Sequence, residues 1–82
     1  MVLVLFFGKI AEIIGKSAIE FELSNEVSTL LQLRDKIFLE AFAQEILYEN
    51  DINISHNLKL TKDEEILKNG DEVAFFYASA KN

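Results

Sequence analysis

The chain contains no cysteine, no proline and no tryptophan, and it has only three glycines and one histidine. Without cysteine it can form no disulfide, hold no iron–sulfur cluster and offer no thiol nucleophile. Three isolated glycines cannot build a phosphate-binding loop, and the serine and threonine hydroxyls have no histidine in a neighbouring predicted element to activate them. These absences predict no catalytic residues, no metal site and no cofactor. They also fit a reducing cytoplasm.

Long apolar runs are missing as well. The longest, from Met1 to Phe7, is far shorter than the roughly 20 residues of a membrane span. No basic segment precedes it and no small-residue cleavage pattern follows it, so we expect neither a membrane partner nor export. Eighty-two residues, half of them hydrophobic, suffice for one core but not for two. We therefore expect a single soluble, cytoplasmic domain over residues 1–82, with 77–82 as a C-terminal tail.

Basic residues are scarce relative to acidic ones. Fourteen aspartates and glutamates against eight lysines and arginines give a formal charge of −6. Such a surface repels phosphate backbones, so we expect no nucleic-acid partner. A basic surface on another protein is the natural complement, and it would speed encounter more than it would tighten the complex.

The first third of the chain contains two predicted strands and a short helix. Residues Val2 to Phe7 form an unbroken β-favouring run, which predicts a central strand buried on both faces. Apolar residues at helical spacing in Lys9 to Ile14, followed by Gly15, predict a short helix with a glycine C-cap. Apolar and acidic residues alternate from Ile19 to Leu23, and this pattern predicts a half-exposed strand that pairs with the first.

The main helix is predicted in the middle of the chain. Ser28 is the candidate N-cap, and apolar residues follow at spacings of three and four from Leu30 to Ala41. The segment as far as Leu47 either continues this helix or breaks into a second short turn. Phe38 and Phe42 widen the apolar stripe, and we interpret both as core residues.

The last third of the chain predicts a hairpin and a final strand. Ile52 to Ser55 alternate as a short strand, His56 and Asn57 offer a turn, and Leu58 to Leu60 begin the return strand. The sequence Asn69 to Asp71 is the strongest turn signal in the chain. The apolar run Val73 to Tyr77 after it predicts a second buried strand.

This order of elements predicts an α+β fold of the ubiquitin-like β-grasp type, in which one main helix crosses one face of a mixed sheet and the first and last strands are central. One helix covers one face only, whereas both central strands are apolar throughout. The surplus apolar surface is a candidate protein contact, for which we name Phe7, Leu60 and Phe76. The alternative is that loops and the short helix cover these side chains.

The remaining polar candidates are interpreted as structural. His56 is predicted to lie in a turn and has no obvious co-ligands for zinc. A group of acidic residues has the side chains that acid–base chemistry or a divalent-ion site requires, but solvated loop charges explain it better. Its members are Asp63, Glu64, Glu65, Asp71 and Glu72.

Both ends of the chain resemble a known family. The opening V-L-V-L-F-F-G-K-I-A-E-I-I-G, the closing K-N-G-D-E-V-A-F-F and the distance between them are similar to the small subunit of molybdopterin synthase, MoaD, a relative of the thiamine-pathway sulfur carrier ThiS. The resemblance spans essentially the whole chain. It implies a β-grasp subunit, not catalytic on its own, that docks the synthase large subunit. It also implies a sulfur-carrying tail, which an E1-like activating enzyme adenylates.

The tail departs from the family pattern. The family ends in two glycines, whereas this sequence has Lys81 and Asn82 at those positions and no proline before them. Glycine allows two enzymes to bring reactive groups close to the backbone inside narrow channels, and side chains at these positions oppose that approach. We therefore expect Tyr77 and Ala80 to contact the partner together with the apolar face, without competent sulfur transfer. The alternative function is a ubiquitin-like interaction module that has lost sulfur carriage.

Overall fold

A computed structural model describes residues 1–78. Five strands form one mixed sheet: β1 (Val2–Phe6), β2 (Ala18–Phe21), β3 (Ile52–His56), β4 (Lys59–Thr61) and β5 (Glu72–Tyr77), in the spatial order β2-β1-β5-β3-β4. Three helices connect them: α1 (Gly8–Ile14), α2 (Leu30–Ile37) and α3 (Leu39–Ala43), and a 3₁₀ turn, Glu49–Asp51, precedes β3. Within residues 1–78 no helix is long and apolar enough to cross a bilayer.

The sheet has the predicted topology. β1 and β5 lie side by side and parallel in the middle, and the chain between them, which includes the three helices and the other three strands, is long enough to allow this parallel pairing. β2 pairs antiparallel with β1, β3 pairs antiparallel with β5, and β4 closes the hairpin with β3. The predicted α+β β-grasp fold with central first and last strands is thereby confirmed.

β1 is central but is not buried on both faces. Val2, Val4 and Phe6 are buried beneath the helices, whereas Leu3, on the other face, is 39% exposed. The prediction of burial on both faces is wrong, because the helices cover one side of the sheet only. The predicted short helix is confirmed as α1, and Gly15 ends it at φ +83° with its N–H donating to the Ala11 carbonyl at 2.8 Å.

The N-cap of α2 is Thr29, and the prediction of Ser28 is wrong. The Thr29 hydroxyl accepts from the Gln32 N–H at 3.4 Å, and the Gln32 side-chain oxygen accepts from the Thr29 N–H at 3.2 Å. This reciprocal pair is a capping box. The helical segment then breaks at Phe38, which separates α2 from α3.

Replacing Thr29 by alanine should lower the free energy of unfolding by about 1 kcal/mol, because the first turn of α2 loses a side-chain acceptor. Ser28→Ala is the matched control, since its hydroxyl makes only a 3.5 Å contact with Gln32. Urea denaturation of both variants measures the difference. A loss as large for Ser28→Ala as for Thr29→Ala would contradict the assignment of the cap.

The β3–β4 hairpin turns one residue later than predicted. Asn57 and Leu58 both have positive φ, 52° and 72°, as the two central residues of a type I′ turn require. His56 is therefore the last residue of β3 and pairs with Lys59 across the hairpin. The prediction of a turn histidine is wrong.

The core lies between the sheet and the helices. Its centre is three fully or almost fully buried rings: Phe75 lies 5.1 Å from Phe38, edge to face, and 6.1 Å from Phe6, nearly parallel, between ring centroids. Phe38 is thus the core residue that its spacing predicts. Phe42 is half-buried at the margin, 6.1 Å from Phe38.

Candidate functional site

The face of the sheet opposite the helices is the main candidate site. Side chains alternate along each strand, so the cross-strand register identifies those that share this face. We call it the open face. Its members are Ala18 and Glu20 on β2, Leu3 and Leu5 on β1, Glu72, Ala74 and Phe76 on β5, Asn53 and Ser55 on β3, and Leu60 on β4, together with Phe7 just after β1.

A row of apolar and small side chains crosses the middle of the open face. Leu5 is opposite Ala74 on β5, Ala74 is opposite Ser55 on β3, and Ser55 is opposite Leu60 on β4. Since the side chains of Ala74 and Ser55 are short, the surface between Leu5 and Leu60 is recessed relative to the two leucine side chains. Leu60, on the edge strand, is 68% exposed. The row therefore forms a shallow apolar trough.

Two aromatic side chains lie beside this trough at the C-terminal end of β5. Phe6 pairs with Phe75, so the next residues, Phe7 and Phe76, are also neighbours, and the Phe7 N–H donates to the Phe75 carbonyl at 3.1 Å. Phe7 is 51% exposed and Phe76 is half-buried. The structure thus places Phe7, Leu60 and Phe76 on one face, and neither loops nor α1 encloses Phe7 or Leu60. Their role as an interface remains a prediction.

The opposite end of the open face is acidic. Leu3 has Glu20 on one side and Glu72 on the other, as its cross-strand partners on β2 and β5. Neither carboxylate makes an ion pair within the part of the chain that the structure describes. The open face is therefore acidic where β1 and β5 begin and aromatic where they end.

Tyr77 does not lie on the open face. It is the last residue of β5, pairs with Ile52 and packs at the margin of the core, where the Lys9 ammonium lies 4.6 Å from its ring centroid. The segment that follows β5 thus begins at Ala78, whose N–H donates to the Asp51 carbonyl at 2.8 Å. The other predicted tail positions, Ala80, Lys81 and Asn82, lie outside the described residues.

His56 lies between two carboxylates. Its Nδ1 atom is 2.7 Å from Glu65 Oε1, and its Nε2 atom is 2.8 Å from Asp71 Oδ2. Burial alone would lower the pKa of His56, but the hydrogen bonds to Asp71 and Glu65 outweigh it and raise that pKa. In turn, the hydrogen bond from His56 lowers the pKa of Asp71 to about 2 and lowers the pKa of Glu65.

The predicted acidic group is divided among several roles. Glu65 and Asp71 are partners of His56, so their interpretation as solvated loop charges is wrong. Glu64 accepts from the Leu31 N–H at 2.8 Å, in the first turn of α2. Asp63 is exposed. Because the two partners of His56 lie on opposite sides of its ring, they do not converge on a cation position, and among residues 1–78 no group of three potential ligands does so.

Comparison of the sequence with models of known protein families identifies the family of this chain. A sequence model described as the ThiS family matches residues 4–80. The chain belongs to the ThiS family. This match includes most of β1 and every later strand and helix, and it confirms the resemblance drawn from the two ends of the sequence. No curated protein sequence matches this ThiS-family chain significantly.

Solved structures with the same fold include ubiquitin-like modifiers and molybdopterin-related proteins. SAMP1 from Haloferax volcanii aligns with a TM-score of 0.76 at 18% identity, over 99% of this chain and 98% of that chain. A putative molybdopterin converting factor, subunit 1, from Pyrococcus furiosus aligns with a TM-score of 0.74 at 25% identity, over 95% of this chain and 97% of that chain. A chain in a complex of subunits 1 and 2 of molybdopterin-converting factor from Helicobacter pylori 26695 aligns with a TM-score of 0.65 at 22% identity, over 99% of this chain and 97% of that chain. The chain therefore has a sulfur-carrier fold of the ThiS and MoaD type.

Proposed function

We propose that this ThiS-family protein docks the large subunit of a molybdopterin synthase through its open face, with the segment after Tyr77 entering the partner. The observation that carries the proposal is the exposed Phe7 ring beside Phe76, on an apolar face at the end of β5 from which the chain continues. Contiguous exposed apolar surface of this kind marks protein contacts. The Helicobacter pylori relative, whose structure is a complex of subunits 1 and 2, supports a partner of this class.

The acidic end of the open face defines the charge of the partner. Glu20 and Glu72 flank Leu3, and the whole chain has a formal charge of −6. The matching surface on the large subunit therefore carries basic side chains opposite Leu3. Such pairs at the rim of an interface speed association at low salt and contribute less to the final affinity.

A second function differs only in the tail. Lys81 and Asn82 occupy the positions at which the resemblance expects two glycines, and their side chains oppose threading through a narrow channel. These two residues favour an interaction module without sulfur carriage, whereas the open face is common to both functions. A binding measurement and a sulfur-transfer measurement separate the two.

The binding measurement is calorimetric titration of the full chain into a molybdopterin synthase large subunit. We expect saturable binding with a negative heat-capacity change, because the open face becomes buried. The association rate should fall as salt rises, because Glu20 and Glu72 are screened. If the titration shows no heat of binding and the two proteins also do not co-elute on a sizing column, the docking proposal is rejected.

The sulfur-transfer measurement is the intact mass after incubation with an E1-like activating enzyme, ATP and a sulfur donor. We expect no thiocarboxylate on the wild-type chain, and we expect one on the double variant Lys81→Gly, Asn82→Gly. A mass gain on the wild type would assign the sulfur-carrier function instead. No gain on the double variant would mean that the folded body no longer engages the activating enzyme.

A further inference from the structure

The surroundings of His56 serve neither the proposed docking nor the sulfur chemistry. Both ring nitrogens lie within hydrogen-bond distance of a carboxylate oxygen, at 2.7 Å and 2.8 Å, and the side chain is only 12% exposed. An ionised carboxylate has no proton to donate. Each of these two contacts is therefore a hydrogen bond only if the ring nitrogen carries the proton.

Only the imidazolium form can donate from both nitrogens. A neutral imidazole donates from one nitrogen and leaves the lone pair of the other facing a carboxylate oxygen at less than 3 Å. We propose that His56 is a proton-dependent clamp, which holds Glu65 and Asp71 together when protonated and releases one of them when neutral. The structure shows the closed arrangement.

Glu65 and Asp71 also anchor the loop between β4 and β5 to the β3–β4 hairpin. Asp71 accepts from the Asn57 side chain at 3.1 Å and from the Lys68 N–H at 2.9 Å. Glu65 accepts from the Thr61 hydroxyl at 3.3 Å. Each carboxylate thus binds His56 and at least one further group, and loss of the clamp loosens the loop of residues 62–71 along its length.

The same loop contacts the start of α2. The Leu30 N–H donates to the Glu65 carbonyl at 2.8 Å, and the Leu67 N–H donates to the Ser28 carbonyl at 3.0 Å. These bonds satisfy backbone groups at the helix terminus. The clamp therefore affects the start of α2 through Glu65, although the hydrogen bonds of the His56 ring within residues 1–78 go to Glu65 and Asp71 and not to that helix.

The charged groups around the ring determine the direction of the pH effect. Besides the two carboxylates, Lys59 on β4 is the register partner of His56 and helps to lower the pKa of Glu65, whereas Glu72 on β5 lies on the open face, on the other side of the sheet from the ring. Because the pKa of His56 is raised by folding, its stabilisation is complete below about pH 6.5 and is lost as the pH rises through the folded-state pKa. The pKa values of Glu65 and Asp71 are lowered, so their contribution is present above about pH 4 and is lost on acidification.

The first test is the titration of the His56 ring protons by NMR, which is unambiguous because the chain contains one histidine. We expect a midpoint above that of a free histidine, and we expect Asp71→Asn to lower it. Asp63→Asn is the control, since Asp63 is exposed and is not among the hydrogen-bond partners of the ring within residues 1–78. A wild-type midpoint at or below about 6.5, or equal shifts in the two variants, would overturn the clamp.

The second test follows unfolding by urea and amide hydrogen exchange between pH 6 and pH 9. The wild type should lose stability across this range, and His56→Gln should show a flatter profile. Protection of the Leu30 and Leu67 amides should fall severalfold in the wild type, relative to the distant Gly15 amide. Parallel unfolding profiles, or unchanged protection, would contradict the proposal. If His56→Gln does not fold, the pH dependence of Leu30 and Leu67 amide protection in the wild type alone tests the clamp.

Discussion

Replacing Phe38 by alanine should destabilise the protein by about 3–5 kcal/mol. Phe38 is fully buried and contacts Phe6 and Phe75, each edge to face, at ring-centroid distances of 6.3 and 5.1 Å. It also lies where α2 ends and α3 begins, so the cavity opens beneath a helix junction. A domain of this size has a total stability of roughly 4–12 kcal/mol. Much of the variant should therefore be unfolded at 37 °C.

Thermal and urea unfolding measure this loss, and we expect the melting temperature to fall by more than about 15 °C. Phe42→Ala is the matched control, because Phe42 is half-buried and its one ring contact among the described residues is with Phe38. The control should lose about 1–2 kcal/mol, since its site is open to solvent. Equal losses in the two variants would show that Phe38 is not the centre of the core.

Replacing Phe7 by aspartate should weaken binding to the large subunit by about 30-fold to 1000-fold, which corresponds to the 2–4 kcal/mol of an aromatic hot-spot residue. The charge would be introduced beside Phe76 in the apolar part of the open face. The fold should tolerate it, because Phe7 is half-exposed and occupies the N-cap of α1, a position that favours aspartate. Calorimetry with the large subunit measures the affinity.

Leu39→Asp is the control for this variant. Leu39 is 64% exposed at the start of α3, on the helix side of the sheet, so the substitution introduces the same charge away from the open face. Its affinity should match that of the wild type. An equal loss for Leu39→Asp would indicate a general charge effect, and an unchanged affinity for Phe7→Asp would exclude the open face as the docking surface.

Local sequence patterns predicted the architecture because a helix or strand that is buried on one side has apolar residues at the period of that element. The apolar runs Val2 to Phe7 and Val73 to Tyr77 mark the two central strands, and Gly15 marks the end of α1. The same patterns named Phe7, Leu60 and Phe76 as candidates for surplus apolar surface and left open whether loops or α1 cover them, and the structure leaves Phe7 and Leu60 exposed. Burial on both faces of β1 was a wrong prediction, because continuous hydrophobicity does not distinguish a covered face of a strand from a partly exposed one.

Some boundaries depended on contacts that are distant in sequence. Ser28 and Thr29 are adjacent hydroxyl residues with similar capping propensity. The structure selects Thr29. Its backbone forms an antiparallel β-bridge with Ile66, and the next N–H, that of Leu30, donates to the Glu65 carbonyl. The one-residue difference in the hairpin turn has a similar origin, since β3 must stay in register with β5.

Composition and periodicity were sufficient for the α+β topology, the acidic charge, the absence of thiol chemistry and the two family-like ends, since each of these follows from residue counts or from patterns within short segments. The pairing of His56 with Glu65 and Asp71 was not predictable in this way. Its members are nine and fifteen residues apart, and a shift of one residue in the hairpin would have turned the ring to the other face of the sheet. Strand register brings them together, and register is a property of the folded sheet as a whole.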